Sequence, residues 1–277
     1  MRMRFLHRLI PLVLLTLAAC SSETTATSVA DTVPTPTSTT TTTTATITTT
    51  TTVPTSTTGS PSRAGDPTAT LESFVSELQI VFDLPDSPIT ISTESTYAQG
   101  SIECASNIDF AVLSFASGAI STPDGVWIDQ GDGQGMLEST PGELESLGIF
   151  ETCPAAPSFW VDFSELALAA NAVKQRTSEV RNGIEVEKAD ITPAIGQLRS
   201  LGFITSEDLE GLTINQFVVW MSQDGWIAGI AIDALADPAS LADDFEGLVV
   251  GEQPVPFTFT LDITRPNDPA LEVTPPI

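Results

Sequence analysis

Three kinds of side chain in this 277-residue chain could carry chemistry: three cysteines, one histidine and 36 aspartates and glutamates. The histidine, His7, lies in a leader that begins with Arg2, Arg4 and Arg8 and continues as an apolar run from Leu9 to Leu17, interrupted only by Pro11 and Thr16. About nine apolar residues fall far short of the roughly 20 that cross a bilayer, so the leader reads as an export signal that is removed. With it goes the histidine. A mature chain without histidine has no serine-triad base and no imidazole zinc ligand, which excludes those two classes of site. Carboxylate-only hydrolysis of the glycosidase kind survives on residue type, but the paired acids it needs cannot be chosen without a fold. No catalytic residue, metal site or cofactor is expected.

The leader closes with Leu17-Ala18-Ala19-Cys20, followed by Ser21 and Ser22. This tetrad resembles the signal of bacterial lipoproteins, in which the thiol is diacylated and the preceding bond is cut. The resemblance implies that residues 1–19 are a signal peptide and that Cys20 becomes a lipidated N-terminus. The protein would then be anchored on the extracytoplasmic face of the cell membrane. In that oxidising setting the two remaining thiols, Cys104 and Cys153, are expected to pair.

Charge argues against two partners. Ten basic residues face 36 acidic ones, and loss of the three leader arginines takes the net charge from −26 to about −29. Nucleic acid and anionic lipid surfaces would repel such a chain. A solvated acidic surface accounts for the rest, so acidity by itself names no protein partner.

From Thr35 to Thr58, 17 of 24 residues are threonine, with Pro36 and Pro54 among them. So few large apolar side chains cannot offset the entropy of ordering, and residues 20–66 read as a disordered or extended stalk. It would reach roughly 140 Å if fully polyproline-like, or on the order of 40 Å as a flexible coil. Its Thr and Pro content is that of O-glycosylated stalks. Residues 67–277 form one domain.

Within that domain, Leu71, Phe74, Val75, Leu78 and Phe82 have helical spacing and predict an opening helix. Ile89 to Glu94, Tyr97 to Cys104, Ile108 to Phe115 and Val126 to Asp129 read as strands. Thr140-Pro141-Gly142-Glu143 predicts a capped helix to Leu147, and a further helix is expected over Phe163 to Ala170. Strands near Val173 to Val180 and Gly183 to Ala189 lead to helices at Thr192 to Leu201 and Ser206 to Glu210. Ile214 to Met221 and Trp226 to Ala234, around Asp224-Gly225, predict a hairpin. Pro256 to Thr264 alternates strictly: Phe257, Phe259, Leu261 and Ile263 share one side. The fold class expected is α+β, an antiparallel sheet with helices on one face.

Two other motifs are weaker. Asp129 and Asp132 suggest a calcium loop, but Gly131 and Gly133 fall where ligands are needed, so a turn is expected. Trp127, Trp160, Trp220 and Trp226 could stack on sugars, although core packing is their commoner use.

The order of parts, from lipidation tetrad and polar tether to closing strand, resembles the LppX/LprG lipoproteins of the LolA-like superfamily. The residues that carry the likeness are Val218-Val219-Trp220-Met221 with Asp224-Gly225-Trp226, Asn182-Gly183-Ile184-Glu185-Val186, and Phe257-Thr258-Phe259-Thr260-Leu261-Asp262. It implies a half-barrel sheet with helices covering its concave face and an apolar cavity for acylated lipids. The candidate lining is Trp226, Ala228, Ile230, Ile232, Phe257, Phe259, Leu261 and Ile263. The long Thr tract and the cysteine pair depart from the family pattern. The resulting expectation is an anchored, non-catalytic lipid binder or shuttle; the alternative is a protein-interaction or sensor module held on a stalk.

Overall fold

The computed structural model describes residues 70–85, 88–110, 113–147, 153–157, 159–160, 170–171, 173–195, 211–239, 241 and 252–276. The leader, Cys20, the Thr-rich stalk and the expected helices at Phe163 to Ala170 (except its last residue), beyond Ile195 and at Ser206 to Glu210 lie outside these residues.

Eleven strands make one open antiparallel sheet: β1 (Ser73–Phe82), β2 (Ile89–Ala98), β3 (Ser101–Phe110), β4 (Leu113–Thr122), β5 (Gly125–Asp129), β6 (Leu137–Ser139), β7 (Arg176–Arg181), β8 (Ile184–Asp190), β9 (Leu212–Ser222), β10 (Ile227–Ala236) and β11 (Val255–Thr264). Their order is β6-β5-β4-β3-β2-β1-β11-β10-β9-β8-β7, so the last strand closes against the first and two hairpin meanders fan out from that seam. A short helix, α1 (Pro141–Leu147), follows β6.

The expected α+β class, with helices covering the concave face, is therefore corrected. Among the described residues α1 is the one α-helix with both ends in view, and the architecture is a large, open, all-antiparallel sheet. The helix places Leu144 on Ala119, Val126 and Ile128, a small cluster apart from the main core.

The expected opening helix is also wrong: Phe74, Val75, Leu78 and Phe82 lie in β1, and Leu71 precedes it. Phe74, Ser76, Leu78, Ile80 and Phe82 alternate inward and are all buried. The inward Ser76 and the outward Val75 disguise that period of two as a helical one. Two of the expected strands are each divided by a turn. Tyr97 to Cys104 is split by the Gln99-Gly100 turn, where both residues take positive φ, 51° and 86°. Ile108 to Phe115 is split where Phe110 pairs with Leu113.

Elsewhere the turn chemistry and the sheet agree. Asn182-Gly183, with φ of 51° and 79°, joins β7 to β8, and Gly225 with φ of 87° sits in the β9–β10 turn. At α1 the Thr140 Oγ1 accepts from the Glu143 amide at 3.3 Å, while the Glu143 carboxylate accepts from the Thr140 amide at 3.0 Å. That reciprocal box satisfies two donors that the helix start leaves unpaired.

Candidate functional site

The strand registers place the predicted lining residues of β10 and β11 on one inward face. Ile230 lies opposite Leu261, Ile232 opposite Phe259 and Ala234 opposite Phe257. The rows continue across β1, where Leu261 faces Leu78, Phe259 faces Ile80 and Phe257 faces Phe82, and the last two rings pack at 5.1 Å. Trp226 precedes β10 in the turn, and a register shift between Ile227 and Gly229 makes room for Ala228. All eight predicted residues are buried within the main core, from fully buried Ile230, Leu261 and Ile263 to Ile232 at 8% exposed.

Two rows are interrupted by hydroxyls. Ser76 Oγ and Ser95 Oγ, direct cross-strand partners, are 2.5 Å apart, and Thr93 Oγ1 and Ser106 Oγ are 2.9 Å apart. All four are buried, so the pairs satisfy polar groups that would otherwise cost stability.

A segment missed in the sequence lies against this seam. Cys153 joins Cys104 in a disulfide with 6.0 Å between Cα atoms. Next to it the Ala155 amide donates to Ser95 Oγ at 3.0 Å. Trp160 is fully buried and its indole N–H donates to the Pro154 carbonyl at 2.8 Å. Cys153, Ala155, Ala156, Phe159 and Trp160 thus form an apolar strap fixed to the middle of the inner face.

The opposite face carries a hollow of about 790 Å³ that crosses β11, β1, β2, β3 and β4 and reaches β5. One cross-strand row runs along it: Asp262, Glu77, Glu94, Ala105, Gly118 and Asp129. Ala105 and Gly118 separate the acids, and Met136 packs over Gly118, its Cε 2.9 Å from where a Cβ there would stand. Among the described residues, Asp262 is the one acid of this row held by a cation: Arg181 Nε and Nη2 reach its two oxygens at 2.6 and 2.9 Å, and Asn182 donates at 3.0 Å. Glu77 stands directly opposite both Asp262 and Glu94, a like-charge arrangement that costs stability. No signal in the sequence links acids this far apart.

The hollow does bring carboxylates together, as carboxylate-only hydrolysis requires. Glu77 and Glu94, however, are both exposed on one polar face, so their surroundings do not differ as those of a proton donor and a nucleophile must.

The weaker motifs resolve simply. Asp129 Oδ1 accepts from the Gly131 amide at 2.8 Å, and Asp132 Oδ1 from the Gln134 amide at 2.9 Å, so both acids hold turns. Among the described residues no group of three His, Cys, Asp or Glu is placed to hold a metal ion. Trp160, Trp220 and Trp226 are buried, and Trp127 is half-buried. No helix among the described residues is long and apolar enough to cross a membrane.

No known protein family matches the chain, and no curated protein matches it in sequence. Among solved structures it is similar to the Mycobacterium tuberculosis lipoprotein LppX, with 14% identity over 76% of this chain and 94% of that one and a TM-score of 0.35. It is also similar to a DUF1329 family protein from Desulfovibrio piger, with 13% identity over 77% and 96% of the two chains and a TM-score of 0.24. These overlaps are too loose to carry a functional argument, which rests on this chain's own residues.

Proposed function

We propose that this protein is a lipid-anchored extracytoplasmic lipoprotein that binds or shuttles acylated lipids without catalysis. The observation that carries the reading is the run of apolar rows on the inner face, from Ile230 and Ile232 through Leu261 and Phe259 to Leu78 and Ile80. A lipid held there needs only burial, since each methylene taken from water contributes about 0.8 kcal/mol. The tetrad ending in Cys20 supplies the anchor.

The strap from Cys153 to Trp160 bears on how such a ligand would fit. It is bonded to the hydroxyl seam, so an acyl chain would lie along the apolar rows beside it and take the place of packing that now buries them. Organic extraction of the full chain, purified from cells that acylate it, followed by mass spectrometry should return acyl lipid at a stoichiometric level beyond the chains on Cys20. Extracts that contain the anchor lipid alone would reject the reading.

A second reading is favoured by the outer hollow. The facing of Glu77 with Glu94, with no cation beside them among the described residues, suits a protein-interaction module that receives a cationic partner. Retention of envelope proteins by the wild-type chain and their loss from a Glu77→Gln, Glu94→Gln chain would support it; equal retention would dismiss it.

A further inference from the structure

β7 is the last strand of the sheet, and among the described residues no strand pairs with its outer side. At the other end of the sheet β6 is three residues long and gives way to α1, whereas β7 offers six. Asn182-Gly183 is a two-residue link, so Arg181 and Ile184 on either side of it exchange both backbone hydrogen bonds, and the pattern alternates from there. Thr177, Glu179 and Arg181 thus direct their N–H and C=O groups to β8. Arg176, Ser178 and Val180 direct theirs off the sheet.

Open edges are commonly blunted by charge, proline or a bulge. β7 does carry charge, but each charged side chain is turned back onto its own chain. Arg176 donates to Glu187 at 2.7 Å and to the Asn171 carbonyl at 2.6 Å, Glu179 accepts from the Trp220 indole, and Arg181 is held by Asp262. What projects freely along the edge is Thr177, Ser178 and Val180. At 69% exposed, Val180 is the most exposed large apolar side chain among the described residues. The local charge is also unlike that of the whole. The chain carries −26, yet from Lys174 to Lys188 it has four of its ten Lys and Arg against three acids, Glu179, Glu185 and Glu187. Two such chains repel each other in general, and this hairpin is where they can meet.

We propose that β7 is a docking edge for a second copy of this chain, the two β7 strands pairing antiparallel about a two-fold axis at Ser178. In that register Ser178 faces its own counterpart, Arg176 of each copy faces Val180 of the other, and Thr177 faces Glu179. No like charges stand opposite each other, and the apolar stem of Arg176 covers the exposed valine. The outward N–H and C=O groups of Arg176, Ser178 and Val180 all gain partners. An axis at Glu179 would instead set two glutamates face to face, and one at Thr177 would leave only Arg176 to Ser178 of each strand overlapping. The contact is isologous, so it closes at two copies and joins both sheets into one. It needs no lipid, and it stands or falls apart from the carrier reading.

The test uses the full chain with Cys20→Ser, so that the thiols left are the paired Cys104 and Cys153. Sedimentation should show a monomer–dimer equilibrium in the micromolar range, tightened by added salt because screening relieves the repulsion between two acidic bodies. Ser178→Pro removes an N–H that faces off the sheet and leaves the β7–β8 ladder whole, and Val180→Lys sets a lysine opposite Arg176 of the other copy. Each should raise the dimer Kd at least tenfold, and Val180→Lys, at an exposed position, should do so with an unchanged melting temperature. Under mild oxidation Ser178→Cys should crosslink across the axis, where the opposed Cα atoms stand about 5.5 Å apart. Val180→Cys, four residues out of register with its counterpart, should not. A monomer at every concentration, a dimer indifferent to both substitutions, a dimer that salt weakens, or equal crosslinking at positions 178 and 180 would overturn the proposal.

Discussion

Arg181 sits over Trp220, its guanidinium carbon 3.8 Å from the ring centroid, and ends in a two-point pair with Asp262. The two residues belong to β7 and β11, four places apart in strand order. A flat sheet would separate them by roughly 19 Å, so the β7–β8 hairpin must coil back over the outer face. Gly229 makes this possible: a Cβ there would meet Arg181 Nε at 3.0 Å and the Leu261 carbonyl at 3.1 Å.

Arg181→Met removes the cation that holds Asp262 and leaves that acid facing Glu77. We expect a loss of about 1.5–3 kcal/mol in urea unfolding, the range for hydrogen bonds to charged groups. Gly229→Ala should cost about 1–3 kcal/mol by displacing the same guanidinium. The double variant should lose less than the sum of the two, because either change breaks one clamp. Additive losses would show that Gly229 serves the sheet and not the clamp.

Ser95→Ala leaves the Ala155 amide and Ser76 Oγ without their shared partner in a buried site. A loss of about 1–3 kcal/mol is expected, more than the average for a surface serine. Ser76→Ala leaves the Ala155 bond intact and should cost less. Equal losses from the two variants would mean that the strap does not depend on Ser95.

Much of the sheet was legible because local chemistry and global fold agree there. Phe257 to Ile263 alternate without exception, and Asn182-Gly183 and Asp224-Gly225 mark hairpins by residue type. The opening strand was not legible, because Ser76 is inward only by virtue of Ser95, nineteen residues away. The β3–β4 link was missed for the opposite reason: Ala111 and Val112 carry no turn signal. The predicted lining residues do share a buried face, but the Cys153 strap bound to Ser95 and Cys104 and the acidic row on the other face arise from long-range register that no local pattern encodes.

The helix cap gives a pH prediction. The carboxyl of Glu143 is held below its ordinary value of 4.5 by the Thr140 amide first, then by the Ser139 and Thr140 hydroxyls. A carboxylate with a depressed folded value contributes stability that is present above 4.5 and is lost as pH falls through the lowered value. The amide resonances of Thr140 and Glu143 should therefore titrate together with a midpoint below 4.5, and Glu143→Gln should remove the transition. A midpoint at or above 4.5 would contradict the cap.

The Cys104–Cys153 disulfide closes a sequence separation of 49 and fixes the strap at its buried end. In the chain-entropy model a loop of that length is worth about 4 kcal/mol. Replacing both cysteines by alanine should lower the urea midpoint accordingly, with the folded strap still seated by Ser95 and by the Trp160 bond to Pro154. Tryptophan fluorescence tests that division: Trp160 is fully buried, so a strap that stays seated keeps its emission blue, whereas one that leaves on losing the disulfide shifts it to the red. We expect the first result in the absence of denaturant. Cys153, Ala155, Ala156, Phe159 and Trp160 belong to the same buried core as the apolar rows, and one lost covalent link does not remove that packing. A red shift in buffer would mean that the disulfide, and not packing, holds the inner face closed.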